Sequence, residues 1–150
     1  LKISREIGDR MGEGIGLSSL GNAYARLGET RKAIEYYEQA LKISREIGDR
    51  MGEGTALGNL GNAYAGLGET RKAIEYYEQA LKISREIGDR MGEGNALWNM
   101  SLALNEIGNR TQAIERAKSA LTILESIESP HAQNVKRKLQ EWEEASSQIQ

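Results

Sequence analysis

The sequence has no cysteine and a single histidine, His131. Without cysteine there is no disulfide and no thiolate zinc site, which fits an intracellular, cytoplasmic chain. One histidine excludes a two-imidazole metal site and a histidine-based catalytic pair within the chain; His131, two residues after Ser129, reads as an exposed first-turn residue of a helix. An excess of positive charge is missing too: the formal net charge is -2 and the pI about 5.6, so the clustered Lys and Arg that grip nucleic acid or anionic membranes are absent. Lys136, Arg137 and Lys138 form the one basic triplet and read as a solvated helix face. No apolar run approaches the roughly 18 residues of a membrane span, and no signal-type segment opens the chain. The glycine-rich strings "GEGIG" at 12–16 and "GEGTALG" at 52–58 lack the preceding strand or the closing Gly-Lys-Ser/Thr of a phosphate loop. Glu143 and Glu144 are adjacent, so on a helix they diverge and cannot share a proton transfer. The sequence therefore predicts no enzyme and no cofactor.

What the chain has instead is self-similarity. Residues 1–40 and 41–80 differ at only five positions, Ile15/Thr55, Gly16/Ala56, Ser18/Gly58, Ser19/Asn59 and Arg26/Gly66. A fixed period of 40 residues marks a solenoid, in which each unit packs only on its neighbours. "LKISREIGDR" stands at 1, 41 and 81 and ends a unit each time, so the chain is expected to begin inside a repeat of a longer array. The expected organisation is the end of a truncated repeat (1–8), repeats at 9–48 and 49–88, a degenerate repeat at 89–128, and a capping helix with a tail at 129–150.

Within one unit, apolar residues recur at threes and fours, the period of an amphipathic helix, and strand-type alternation occurs nowhere. In the second unit Asp49 is the expected N-cap of a helix running through Leu57, Leu60 and Tyr64 to Leu67, with Gly68 as its left-handed terminator. Glu69 and Thr70 open a second helix with Ala73, Ile74, Tyr77, Ala80, Leu81, Ile83 and Ile87 on its apolar side, closed by Gly88. Its other side, Lys72 to Glu86, is mixed charge and reads as solvated. In the tail, Ser129 is the expected N-cap and Pro130 the first helical position of a helix over 130–146, with Ala132, Val135, Leu139 and Trp142 as one apolar stripe.

Leu20, Gly21, Tyr24, Ala33, Tyr37 and Ala40, repeated as Leu60, Gly61, Tyr64, Ala73, Tyr77 and Ala80, carry a resemblance to the tetratricopeptide repeat family. The resemblance covers about residues 1–128 and implies an all-α, right-handed superhelix of antiparallel helix pairs, closed here by a C-terminal capping helix. The 40-residue variant, with "LGNAY" and "REIGD", is similar to Leu-Gly-Asn (Pins-type) adaptors. It is also similar to bacterial and archaeal arrays, including the sensor ends of some STAND-type signalling ATPases. The third copy departs from the pattern: Ser101 stands for the signature glycine, Leu104 for the tyrosine and Ala117 for the second aromatic.

At about 100° per residue, Ile15, Ser18, Ser19, Asn22 and Arg26 share one face of the first helix, opposite Leu17, Leu20, Tyr24 and Leu27. Four of the five differences fall on that face. The family resemblance implies that it lines a concave groove where partner peptides lie. Two accounts fit: a groove selected for a ligand, or drift at positions free of packing, although the exposed second helices do not differ at all. The candidate binding residues are Ser19, Asn22, Arg26, Asn59, Asn62, Asn95, Trp98, Asn99, Asn105 and Glu106. Asparagine amides offer donors and acceptors to the backbone of an extended peptide whatever its sequence. Trp98 has two readings, a groove anchor and a residue packed under the capping helix. Arg26 and Glu106 put opposite charges at opposite ends, able to orient a peptide. The carboxylate clamp of chaperone-tail binders is not carried over, since only Arg26 supplies the cations it needs.

Three functions follow as expectations. The first is a scaffold that binds a peptide or protein segment in its groove, with no nucleic acid or membrane partner. The second is the C-terminal regulatory sensor of a larger STAND-type ATPase, and the third is a duplicated or engineered consensus array without a dedicated ligand. Ile3 and Ile7, lacking part of their packing, also predict end-to-end self-association.

Overall fold

The computed structural model describes residues 2–149. Among them are seven helices and no strand: α1 (Lys2–Arg26), α2 (Thr30–Ile47), α3 (Arg50–Gly66), α4 (Thr70–Ile87), α5 (Arg90–Glu106), α6 (Arg110–Ser126) and α7 (Ala132–Ile149). Each helix packs on the next, as expected of an α-solenoid. In addition α1 touches α3 and α3 touches α5, whereas α2, α4 and α6 make no comparable contact with one another. The odd-numbered helices therefore line the shorter, inner wall, and the even-numbered ones the outer.

The spacing of apolar residues explains which sides are covered. On α4, Ala73, Tyr77, Ala80, Leu81, Ile83 and Ser84 are buried, and on α3 Ala56, Leu57, Leu60, Gly61, Ala63 and Tyr64. Leu57, Leu60, Leu97, Met100 and Leu124 are the largest side chains fully sequestered from water; each contributes about 1.5–3 kcal/mol relative to exposure. As expected, Asp49 caps α3, its Oδ1 accepting from the Gly52 N–H at 3.0 Å, and Asp89 repeats the bond on Gly92 at 2.9 Å. The charged side of the even helices is not only solvated. Arg50 donates to Glu53 at 2.9 Å and to Glu86, and Arg45 reaches Glu53 at 3.2 Å, tying α2, α3 and α4 together.

One expected boundary is not marked by a turn. At 41–50 and 81–90 the string "LKISREIGDR" bends at Gly48 and Gly88, whose φ of 73° and 72° are left-handed and suit glycine alone among ordinary residues. At residues 2–10 the same residues continue straight through Gly8 into α1. Burial decides between the two. Ile43 and Ile83 are 5% and 4% exposed, Ile43 packed against Gly14 of α1 and Ile83 against Gly54 of α3, each the preceding helix of its own pair, while Ile3, with no preceding helix among the described residues, is 73% exposed. Without that gain the reversal has no driving force, and the helix propagates.

The cap departs slightly from its expected bounds. Ser129 Oγ accepts from the His131 N–H at 3.2 Å, yet Pro130 and His131 form a turn, so α7 begins at Ala132 and runs on to Ile149. Glu128 makes the left-handed turn, φ 54°, that Gly48 and Gly88 make in the earlier copies. Val135, Leu139 and Trp142 are buried beneath α7, the expected stripe.

Candidate functional site

The inner wall holds three hollows that run into one another. One lies between α1 and α3 and is lined by Asn22, Arg26, Tyr37, Asn59 and Asn62, with a volume of about 410 Å³. A second, about 490 Å³, is lined by Asn59, Asn62, Asn95, Trp98 and Asn99, with His131 and Asn134 of the cap at its far side. A third, also about 490 Å³, sits beside Ser19 at the start of the wall. Ser19, Asn22, Arg26, Asn59, Asn62, Asn95, Trp98 and Asn99 are thus brought onto one continuous surface. None of them is buried.

Asn105 and Glu106 line none of these hollows. Asn105 Oδ1 accepts from Arg110 Nε at 2.9 Å, and Glu106 accepts from the Thr70 hydroxyl at 3.2 Å. Their polar groups serve the junction between α4, α5 and α6, while Arg26, the opposite charge, lines the hollow between α1 and α3.

The asparagines are held by a device that the sequence reading did not contain. Tyr37 Oη donates to Asn22 Oδ1 at 2.6 Å, and Tyr77 Oη to Asn62 Oδ1 at 2.7 Å. With the carbonyl engaged by tyrosine, each amide keeps its two N–H donors for another acceptor. Burial pushes the Tyr77 phenol up to about 12, with Glu106 adding to the rise, and burial likewise raises Tyr37. Both phenols therefore stay neutral donors at physiological pH.

The neighbouring glycine serves the same tyrosine. A Cβ built on Gly21 or Gly61 would come within 2.5 Å of Cε1 of Tyr37 or Tyr77, so the ring occupies the space a side chain would need. Copy three replaces the whole set together, Ser101, Leu102 and Ala117 in place of Gly, Asn and Tyr. Once the ring is gone, Ser101 fits, fully buried, and donates to the Trp98 carbonyl at 2.6 Å. A second set moves the same way. Tyr64 stacks on Tyr76 at 5.4 Å with Lys72 over its ring at 4.4 Å, and the third copy has Leu104, Arg116 and Gln112 there.

Trp98 packs against the cap and also faces the groove. Its ring stacks on Trp142 of α7 with centroids 6.0 Å apart, while its remaining surface lines the second hollow. It is not a free anchor, because the cap holds it. Met11, Met51 and Met91, which the sequence reading did not place on this wall, are exposed and line the hollows together with Ile15, expected on the groove face, and Ile87, expected on the apolar side of its helix. Their signal was the 40-residue recurrence of Met within the connector "IGDRMGEG".

A model of the tetratricopeptide repeat family matches residues 12–86 and again 52–126, overlapping registers that together take in most of the chain. The chain belongs to the tetratricopeptide repeat family. Solved tetratricopeptide structures agree on the fold. The apo form of RapI superposes with a TM-score of 0.87 at 18% identity, over 92% of this chain and 51% of that one. The chain thus spans about half the length of RapI. The TPR2AB domain of yeast Sti1 in complex with pHSP90 gives 0.77 at 20% identity, over 91% of this chain and 48% of that one. The STAND protein PH0952 from Pyrococcus horikoshii, with a tetratricopeptide repeat sensor, gives 0.76 at 30% identity, over 89% of this chain and 21% of that one. A comparison with curated proteins found no match. Among the described residues no helix is long and apolar enough to cross a membrane.

Proposed function

We propose that this tetratricopeptide array is a scaffold that holds an extended peptide or protein segment along its inner wall through a ladder of amide donors. The observation that carries the reading is the pair of tyrosine-locked amides, Asn22 and Asn62, which present N–H groups at a repeat spacing. Backbone carbonyls of an extended chain are the matching acceptors. Asn59 and Asn99, half-buried on the same wall, extend the ladder. The pHSP90 complex of yeast Sti1 supports the reading at the level of fold. On this reading the chain is a cytoplasmic binding module, with no catalysis, cofactor or nucleic-acid partner of its own.

Asn62→Asp tests the ladder cleanly, because the carboxylate keeps the acceptor for Tyr77 and removes the donors. Against a peptide selected on the immobilised chain from a random display library, the expected loss is about tenfold, one hydrogen bond of roughly 1–1.5 kcal/mol. Isothermal titration measures it, and an unchanged affinity would remove the ladder. A selection that yields no specific binder would favour the consensus array without a ligand.

A second reading is favoured by the 30% identity to the sensor-bearing PH0952: the array regulates a nucleotide-hydrolysing module of a longer protein. It requires such a module in the same reading frame. Self-association is supported by α1, where Leu20 and Leu27 are 46% and 73% exposed while the equivalent Leu60 is fully buried. Light scattering is expected to rise with concentration and to lose that dependence in Leu20→Glu; a monomer at all concentrations would end this reading.

A further inference from the structure

We infer that the inner wall carries two side-chain cups, one repeat apart, that receive branched aliphatic side chains of the bound peptide. The inference rests on the scaffold reading above and adds what the peptide must carry. The first cup lies over Gly14, between Ile43 of α2 and the exposed side chains of Met11, Ile15 and Met51. The second lies over Gly54, between Ile83 of α4 and the exposed Met51, Ile87 and Met91. Gly14, Ile43, Met11 and Met51 of the first correspond to Gly54, Ile83, Met51 and Met91 of the second at 40-residue spacing, so Met51 forms part of both rims, while Thr55 stands where the first cup has Ile15.

Gly14 and Gly54 put no side chain into the floors of the two cups. A Cβ built on Gly14 would meet only Ile43, at 3.5 Å, and one on Gly54 only Ile83, at 3.3 Å. The third copy shows what belongs there. Where α2 and α4 have Ser44 and Ser84, α6 has Leu124. A Cβ on Gly94 would meet Leu124 Cδ2 at 2.9 Å as well as Ile123 at 3.3 Å, and Leu124 is completely buried. The chain therefore puts its own leucine at this position in the third copy, where the two earlier copies carry a serine that lines the hollow. Exposed methionines around each opening suit the task, since an unbranched thioether adapts to the side chain that enters.

Spacing narrows the partner further. Helices α1 and α3 are in contact, and packed helices lie about 8–10 Å apart. Three residues of an extended polyproline-type segment advance about 9 Å and return the side chain to the same face. The occupant is an extended peptide with two aliphatic side chains three residues apart, whose backbone carbonyls face the asparagine donors.

The probe is a set of synthetic, end-blocked dodecapeptides of Ser, Gly and Thr carrying no leucine, one leucine, or two leucines at i and i+3, followed by fluorescence polarisation on the full chain. Each leucine is expected to tighten binding about tenfold or more. Ser44→Leu with Ser84→Leu, copying the third repeat, is expected to bring the two-leucine peptide back to the level of the leucine-free one. Met51→Ser, at an exposed rim where the fold is not at stake, is expected to weaken the two-leucine peptide at least tenfold. Equal affinity for all three peptides, with Asn62→Asp still weakening each, would overturn the cups and leave the amide ladder standing. Leucine-dependent binding that neither variant reduces would also overturn the cups. No saturable binding of any peptide would overturn both readings.

Discussion

Gly61→Ser lowers the stability of the array by about 1–3 kcal/mol, the usual range for forcing atoms into a filled space. The added side chain enters the volume of the Tyr77 ring, 2.5 Å from Cε1, and Tyr77, only 3% exposed, cannot swing away without abandoning Asn62. Tyr77→Ala alone costs about 3–5 kcal/mol, as buried aromatic truncations do, and it strips Asn62 of its partner. Combined with Asn62→Leu the two substitutions reproduce the third repeat's Ser101, Leu102 and Ala117. The triple variant is therefore expected to be more stable than the sum of its parts by about 1 kcal/mol or more, the size of coupling seen between contacting residues. Guanidinium denaturation of the three single variants and the triple measures this. Strict additivity would mean that the three positions drifted independently. Because a solenoid can unfold repeat by repeat, the midpoint and slope are compared together.

Trp142→Ala, expected to cost about 3–5 kcal/mol, acts at the other end. Its ring is 4% exposed, stacks on Trp98 and shares the underside of α7 with Val135 and Leu139. The main packing of α7 is on α6, with that stack reaching α5, so little else compensates. The cap is expected to detach before the rest melts, seen as an early loss of near-ultraviolet tryptophan circular dichroism ahead of the helical signal at 222 nm. A single coincident transition at the native midpoint would show that α7 contributes little. The result also governs how Trp98→Ala is read, since a loss of binding there combines groove contact with cap support. Val135→Ala, which spares both indoles, separates the two.

Much of the architecture was legible because helix-period spacing and caps are local. Asp49, Gly68 and Gly88 act where the sequence placed them, and Leu60, Gly61, Tyr64, Ala73, Tyr77 and Ala80 are buried as the repeat pattern implied, whereas Leu20 of the first copy is exposed. The grouping of Asn22, Arg26, Asn59, Asn62 and Asn99 was legible for the same reason, an angular count around one helix. What escaped depends on pairs brought together by packing. Asn62 and Tyr77 are 15 residues apart on different helices, so the changes at Ser101 and Ala117 read as separate departures when they are one exchange. Met51 and Met91 sat in a connector whose glycines suggested only an ending. The N-terminal run was illegible in principle, since the same residues are straight at one place and bent at two others.

That duality makes the array resemble a one-dimensional crystal, in which the conformation of a cell is set by what packs on it. The elbow at Gly48 or Gly88 is a property of an occupied lattice cell, not of the ten residues that form it. The ten-residue string carries both shapes, and the helices packed against it choose between rod and elbow.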